Sequence, residues 1–241
     1  MINRYLFWGI LFICVFSFFN RNTYRNINDI APGVLKEPVL EEVISNNPIE
    51  IIGNGYKFSL TPVFQCRISG LIVDNSGRLF MVSRSCGSWE EKKMLEMNKS
   101  FTIIWGSNIS NKIYKNNAIN FSGGETNWAA GAAPNLGELA NISLIADNKD
   151  LWSRIKGISR GDQVEVKGRL VNVGADRIIS SGHLEYKTGL PGKDNLYCVI
   201  YVEDLRILKK ANVLYHYLFW FSLLWLIARG IYRLFGPLRL Y

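Results

Sequence analysis

Few residues in this chain have the types and spacing for covalent chemistry. Gly157-Ile158-Ser159-Arg160-Gly161 has the G-x-S-x-G spacing of a hydrolase nucleophile elbow. That motif exposes its serine on a strained turn that leaves a strand and enters a helix. Here the surrounding pattern runs the other way. Leu151, Trp152 and Ile155 share one face of a predicted helix over Asn148–Lys156, and Gln163–Val173 (QVEVKGRLVNV) alternates like a strand. Ser159 is therefore read as a loop serine, and Asp162 as the residue that caps the turn into the strand. His183 is one of only two histidines and falls inside a predicted strand. No catalytic residue is assigned, and the chain is read as a non-enzyme.

Metal and phosphate chemistry fare no better. No C-x-x-C occurs, and two histidines are too few for the usual zinc sets, so neither metal nor cofactor is expected. Gly123-Gly124 and Gly131 lack the lysine and helix that a phosphate loop requires. Of the four cysteines, Cys14 lies in the first apolar run and Cys66, Cys86 and Cys198 lie beyond it. Asp74-Asn75-Ser76-Gly77 reads as a hairpin turn between Gln65–Val73 and Arg78–Ser83. In that register Cys66 falls opposite Ser85, with Cys86 one place off; a bulge could bring Cys66 and Cys86 into a disulfide. The alternative is three small buried hydrophobes. Trp105, Trp128 and Trp152 could stack on a ligand or partner, or fill a core. The sequons at Asn98, Asn108 and Asn141 are attributed to chance in an asparagine-rich chain.

The elements that must position these residues are mostly strands. Residues 26–50 (containing Pro32, Gly33, Pro38 and Pro48) read as a linker arm, with a helical turn at Glu41–Ile44. The domain proper is placed at 51–208. Predicted strands are Tyr56–Leu60, Gln65–Val73, Arg78–Ser83, Phe101–Trp105, Gln163–Val173, Arg177–Tyr186 and Leu196–Leu208. Ser88–Asn98 suits a short helix or an excursion, and Asn111–Gly137 an exposed loop. Asp147 is the expected cap of the Asn148–Lys156 helix. Gly168, inside a strand, marks a bulge or sharp bend. The fold class is mainly β: a small OB-like barrel with one short helix, flanked by an N-terminal and a C-terminal transmembrane helix. A two-sheet sandwich is the alternative.

The segments GDQVEVKGRLVNV and CVIYVEDLRIL, with Lys36-Glu37-Pro38, Gly55-Tyr56, Ile68–Val73 and Ile104-Trp105-Gly106, resemble a family of bacterial membrane-anchored proteins. The resemblance spans about Asp29 to Leu208 and implies an OB-like domain outside the cytoplasm. It implies no activity. Where the family pattern has a histidine, Ser143 is the counterpart. Where it has a cysteine after the tryptophan matched by Trp128, this chain has Ala129 and Ala130.

Two apolar runs bracket the domain: Tyr5–Phe19 within residues 1–25, and Val213–Ala228 within residues 209–241. A bilayer core takes roughly 17–25 apolar residues as helix. Both runs are slightly short, and aromatic and basic flanks extend them at the headgroups. The first run also resembles a signal peptide, but bulky residues fill the place of a small-x-small cleavage site. Nine of the 28 basic residues flank the runs, among them Arg21, Arg25, Lys209, Lys210, Arg229, Arg233 and Arg239. The remaining 19 face all 20 acids, so the domain is nearly neutral. A nucleic-acid surface needs positive charge clustered on the domain, so that partner is excluded. The basic collars suit membrane lipid.

The expectation is a membrane protein with two spans, both termini cytoplasmic and the domain periplasmic. The function expected is a non-catalytic interaction module that scaffolds or assembles an envelope complex with other membrane proteins. The alternative is a binding module or chaperone that holds a small ligand, glycan or cofactor at the membrane surface.

Overall fold

The structure, a computed structural model, describes residues 2–21, 23–25, 27–43, 47–53, 56–77, 98–122, 125–177, 183–193 and 198–235. The chain divides into two compact units: Met1–Thr23 with Lys210–Tyr241, and Tyr24–Lys209.

The first unit holds helix α1 (Ile2–Asn20) and a C-terminal helix, Val213–Phe235. Val213–Tyr232 of the latter is long and apolar enough, by length and composition, to cross a membrane. It is not a buried core helix, for Leu214, Tyr217, Phe221 and Leu224 lie open on its surface. The apolar part of α1, Tyr5–Asn20, is shorter. At 1.5 Å per residue it spans about 24 Å, against about 30 Å of hydrocarbon. The two helices meet through aromatic rings: Phe16 on Tyr215 at 6.0 Å and Phe18 on Phe219 at 5.8 Å. The Arg21 guanidinium sits over both Phe18 and Phe219, at 4.6 and 4.3 Å. The Asn212 side-chain amide donates to the carbonyl of Thr23 and so joins the two helix ends.

The second unit is mainly β. In chain order its strands are β1 (Val39–Glu42), β2 (Ile49–Gly53), β3 (Tyr56–Gly77), β4 (Asn98–Ile104), β5 (Ile119–Ser122), β6 (Glu125–Trp128) and β7 (Leu139–Ile145), then β8 (Gln163–Arg177), β9 (His183–Tyr186) and β10 (Cys198–Lys209). Helix α2 (Ser107–Ser110) follows β4, and α3 (Lys149–Lys156) joins β7 to β8; the C-terminal helix is α4. The order β3-β4-β7-β10-β8 returns to β3, because β3 also pairs with β8, so five strands close into a ring. The β7–β10 pairing is parallel and the others in the ring are antiparallel.

Alternation explains the ring. Cys66, Ile68 and Ile72 of β3, Phe101 and Ile103 of β4, and Ile142 and Leu144 of β7 point to one core. Val164, Val166 and Leu170 of β8 and Cys198, Ile200 and Val202 of β10 join them. Leu151 and Ile155 of α3 pack into the same cluster. A second, smaller core gathers Phe58, Leu60, Val171, Val173, Ile145 and Val199. Consecutive buried pairs such as Leu170-Val171 and Leu144-Ile145 therefore face two cores, one on each side of the strand. β3 serves both through a register shift between Pro62 and Phe64, which reverses the side that its apolar residues face. Its first half, with β2, β9 and the end of β8, builds the outer antiparallel sheet.

Several sequence expectations change. Asp74–Gly77 is not a hairpin turn: β3 runs on through Gly77, which pairs with Ser100 of β4. Asp74 is fully buried there, held by an ion pair that the local turn signal does not reveal. Glu41 lies in strand β1, since its neighbours pair with β3. The arm is docked, with Ile27, Ala31 and Val34 buried. The stretch 111–137 contains the β5–β6 hairpin and buries Tyr114, Ile119 and Phe121. The cap of α3 is Asn148, whose Oδ1 accepts from the amides of Asp150 (2.7 Å) and Leu151 (3.4 Å). Asp147 instead accepts from the Tyr201 hydroxyl at 2.7 Å. The strand expected over Arg177–Tyr186 is divided between the end of β8 and β9, while Arg78–Ser83 and most of 88–98 lie outside the described residues.

Gly168 pairs with Cys66 on one side and Val202 on the other. A Cβ there would stand 2.1 Å from the Tyr201 carbonyl oxygen. The adjoining register shift, between Val202 and Asp204, lies on the partner strand β10. Glycine is required by close backbone approach at a bulge.

Candidate functional site

The serine of GISRG follows helix α3 and precedes strand β8. Its amide donates to Oδ2 of Asp162 at 2.9 Å, and its carbonyl accepts from the Asp162 amide at 3.1 Å. Asp162 thus closes a tight turn around Ser159 at the start of β8. His183 pairs with Asp176 at the far end of that strand, in the outer sheet. Ser159 and His183 therefore sit at opposite ends of the 15-residue strand β8. At about 3.3 Å per residue their backbones are some 40 Å apart along the strand path.

Cys66 is buried in the ring, and burial pushes its thiol up to about 12. A nucleophilic or metal-binding cysteine needs its thiolate, so this environment works against reactivity. Its lateral neighbours are Leu40 and Gly168; Cys86, its candidate disulfide partner, lies outside the described residues. Among the described residues no group of three His, Cys, Asp or Glu could hold a metal ion. The asparagine of one sequon, Asn108, is buried and donates to the carbonyls of Asn135 (2.8 Å) and Glu138 (3.0 Å). Ser143 is buried too, its hydroxyl 2.7 Å from that of Ser100.

The three tryptophans do not share one surface. Trp105 is buried in the ring core, and Trp152 packs half-buried against that same cluster from α3, with the Lys156 ammonium 5.7 Å from its ring. Trp128 belongs to the separate β5–β6 hairpin and is 41% exposed.

What the structure does bring together is the two ends of the β unit. Gln163 opens β8 and pairs with Lys209, the last residue of β10. The Gln163 side chain donates to the Asp29 carbonyl at 2.6 Å and accepts from the Ala31 amide at 2.7 Å. Lys209 closes the circuit through an ion pair with the Asp29 carboxylate. The first and last segments of this unit are therefore held side by side by one buried glutamine, whose amide can both donate and accept. Sequence reasoning missed this, because Gln163 and Asp29 lie 134 residues apart.

The basic residues flanking the apolar runs have distinct surroundings. Arg25 donates to the Asn117 side chain and, at 3.0 Å, to the Ile119 carbonyl. Lys210 is exposed, and the Arg229 guanidinium lies 5.1 Å from the Trp225 ring. The side chain of Arg233, and Arg239, lie outside the described residues. Beside Arg25, the Tyr24 ring meets Phe121 edge-on at 6.0 Å. Arg160 then joins this corner to the ring: it pairs with Asp74 at 2.5 Å and donates to the Phe121 carbonyl at 3.0 Å. On the outer face, Arg67 grips Glu165 through two nitrogens at 3.1 and 2.7 Å. Arg169 pairs with Glu203 at 2.6 Å. Tyr201 lies beside them, and burial, with the Asp147 carboxylate next, pushes its hydroxyl up to about 12. These charges are engaged with one another and tie strands together.

Comparisons with protein-family models, curated proteins and solved structures gave no match.

Proposed function

We propose that this protein is a non-catalytic interaction module: an OB-type β domain held at a membrane by both of its ends, which scaffolds an envelope membrane complex. The observation that carries the reading is the joining of the domain's two ends through Asp29, Gln163 and Lys209. A domain entering and leaving the same bilayer needs its two chain ends close together. Support for the OB type comes from the ring order, the parallel β7–β10 pairing and the position of α3 between β7 and β8. The second span would be α1, with Arg21 and its aromatic neighbours making up the missing length at the headgroups. We place the domain on the extracytoplasmic side, because long domains translocate largely regardless of charge.

Support for a binding role without turnover comes from Ser159 and His183, which stand far apart, and from the protonated thiol of Cys66. The test is complementation of a null strain at matched expression. Ser159→Ala with His183→Ala should retain function, and deletion of Val213–Tyr241 should impair it. A dead double variant that still folds, beside a fully active truncation, would put an enzyme first, because losing a catalytic group costs orders of magnitude in rate.

A further inference from the structure

Trp128 is a large apolar side chain left 41% exposed at the end of a short hairpin. It belongs to an uncharged run: residues 126–137, Thr-Asn-Trp-Ala-Ala-Gly-Ala-Ala-Pro-Asn-Leu-Gly, lie between Glu125 and Glu138. Ala129, Ala130, Gly131 and Ala133 are exposed, and Leu136 is 50% exposed. The run is nonetheless ordered at its base, where the Ala129 amide donates to the Ala118 carbonyl at 2.9 Å and the Ala132 amide to the Ala129 carbonyl at 3.1 Å.

Its place in the β unit gives it meaning. Trp128 is the direct cross-strand partner of Ile119. The Ile119 carbonyl accepts from Arg25, and Phe121, two residues on, carries the Tyr24 ring. Tyr24 and Arg25 are the first two residues of the β unit, and α1 ends at Asn20. Five residues of chain reach at most about 18 Å. The tryptophan hairpin is thus packed on the residues that open the β unit, which follow α1 within five positions of chain. One basic side chain touches the hairpin: Arg25, through the Ile119 carbonyl.

We propose that Trp128 and the loop Ala129–Ala133 insert into the headgroup layer of the membrane and form a third lipid contact, which fixes the tilt of the domain. Tryptophan is favoured at this depth because its ring is apolar while its N–H still reaches water. A loop without charges avoids the cost of carrying an ion toward the hydrocarbon. An irregular loop cannot carry its backbone into hydrocarbon, so the insertion stops at the headgroups. The proposal rests on the reading of α1 and α4 as membrane anchors.

The test uses the full chain reconstituted in vesicles of phosphatidylcholine and phosphatidylglycerol, with its native cysteines replaced. An environment-sensitive fluorophore is placed in turn at Ala130→Cys, Phe221→Cys on α4 and Ile52→Cys, which is 74% exposed in the outer sheet. The label at Ala130 should lose emission at least about twofold when a headgroup-nitroxide lipid is added, and should be shielded from aqueous iodide relative to Ile52. Quenching at Phe221 by an acyl-chain nitroxide lipid, without headgroup-nitroxide quenching at Ala130, overturns the loop contact and leaves the anchors standing. No quenching at Phe221 by the acyl-chain nitroxide overturns the anchor reading and the loop contact with it. Shielding at Ala130 that disappears when the protein is diluted in lipid means a second copy covers the loop, which also overturns the proposal. In the protein with native cysteines, Trp128→Phe should remove a component of tryptophan emission that the headgroup nitroxide quenches; an unchanged quenching curve contradicts the insertion.

Discussion

Replacing Gly168 by alanine is the sharpest perturbation of the ring. The added Cβ would lie 2.1 Å from the Tyr201 carbonyl oxygen and 3.1 Å from Ile200 Cγ2. Ordinary contact begins near 3.4 Å, so the backbone of β10 must retreat by more than 1 Å. No side-chain rotamer can relieve the clash, because the nearest atom is main chain. The retreat strains the β8–β10 ladder at the bulge and loosens the core beside it. Overpacking costs about 1–3 kcal/mol, and weakened ladder bonds about 1 more each, so Gly168→Ala should lose roughly 2–4 kcal/mol. For a unit of this size that lowers Tm by about 5–15 °C. Gly33→Ala is the control, since its Cβ would meet only Leu208 Cδ1, at 3.7 Å. The assay is thermal unfolding of the full chain in detergent. If Gly168→Ala melts with Gly33→Ala, β8 does not approach β10 this closely and the ring closure is wrong.

Two further perturbations probe the buried groups. Arg160→Ala should destabilise the β unit by about 3–5 kcal/mol, because Asp74 is fully buried and loses its cation. Asp74→Asn in that background should recover part of the loss, and additive effects in a double-mutant cycle would show that the two are not coupled. Cys66 gives a pH dependence. Its thiol titrates near 9 when unfolded and is pushed up to about 12 when folded. The unfolded chain therefore releases its proton first, and stability present below pH 9 is lost as pH rises toward 12. Between pH 8 and pH 10 this one group should cost about 1.4 kcal/mol. Denaturant unfolding of Cys66→Ala should lack that increment, and equal pH slopes in both proteins would count against a buried thiol.

The parts of this fold that follow from short-range pattern were legible in the sequence. QVEVKGRLVNV and CVIYVEDLRIL alternate, and both are ring strands; Leu151, Trp152 and Ile155 mark one face of α3. Gly168 was legible as an irregular point, though the shift in register lies on its partner strand. The failures have a common cause. Asp74-Asn75-Ser76-Gly77 has turn chemistry, yet Arg160 recruits Asp74 from 86 residues away and the strand continues. Residues 26–50 look like a linker because their prolines and acids hide the few residues, such as Val34, that dock. Asp147 and Asn148 are both good caps, and Tyr201 decides between them by engaging Asp147. The clasp through Gln163 was illegible, since a glutamine at the head of a strand carries no local signal. Trp128 could be picked out by type, but only its pairing with Ile119 shows where on the domain it stands.

In the proposed function both ends of the β unit return to one membrane and the unit stands on one side of it. Cysteine-accessibility labelling in intact cells and inverted vesicles tests this directly, with single sites at Asn3, Asn116 and Tyr241. The expected result is Asn3 and Tyr241 reactive from the cytoplasmic face and Asn116 from the opposite face. Asn3 and Tyr241 on opposite faces, or all three reactive from one side, would contradict it.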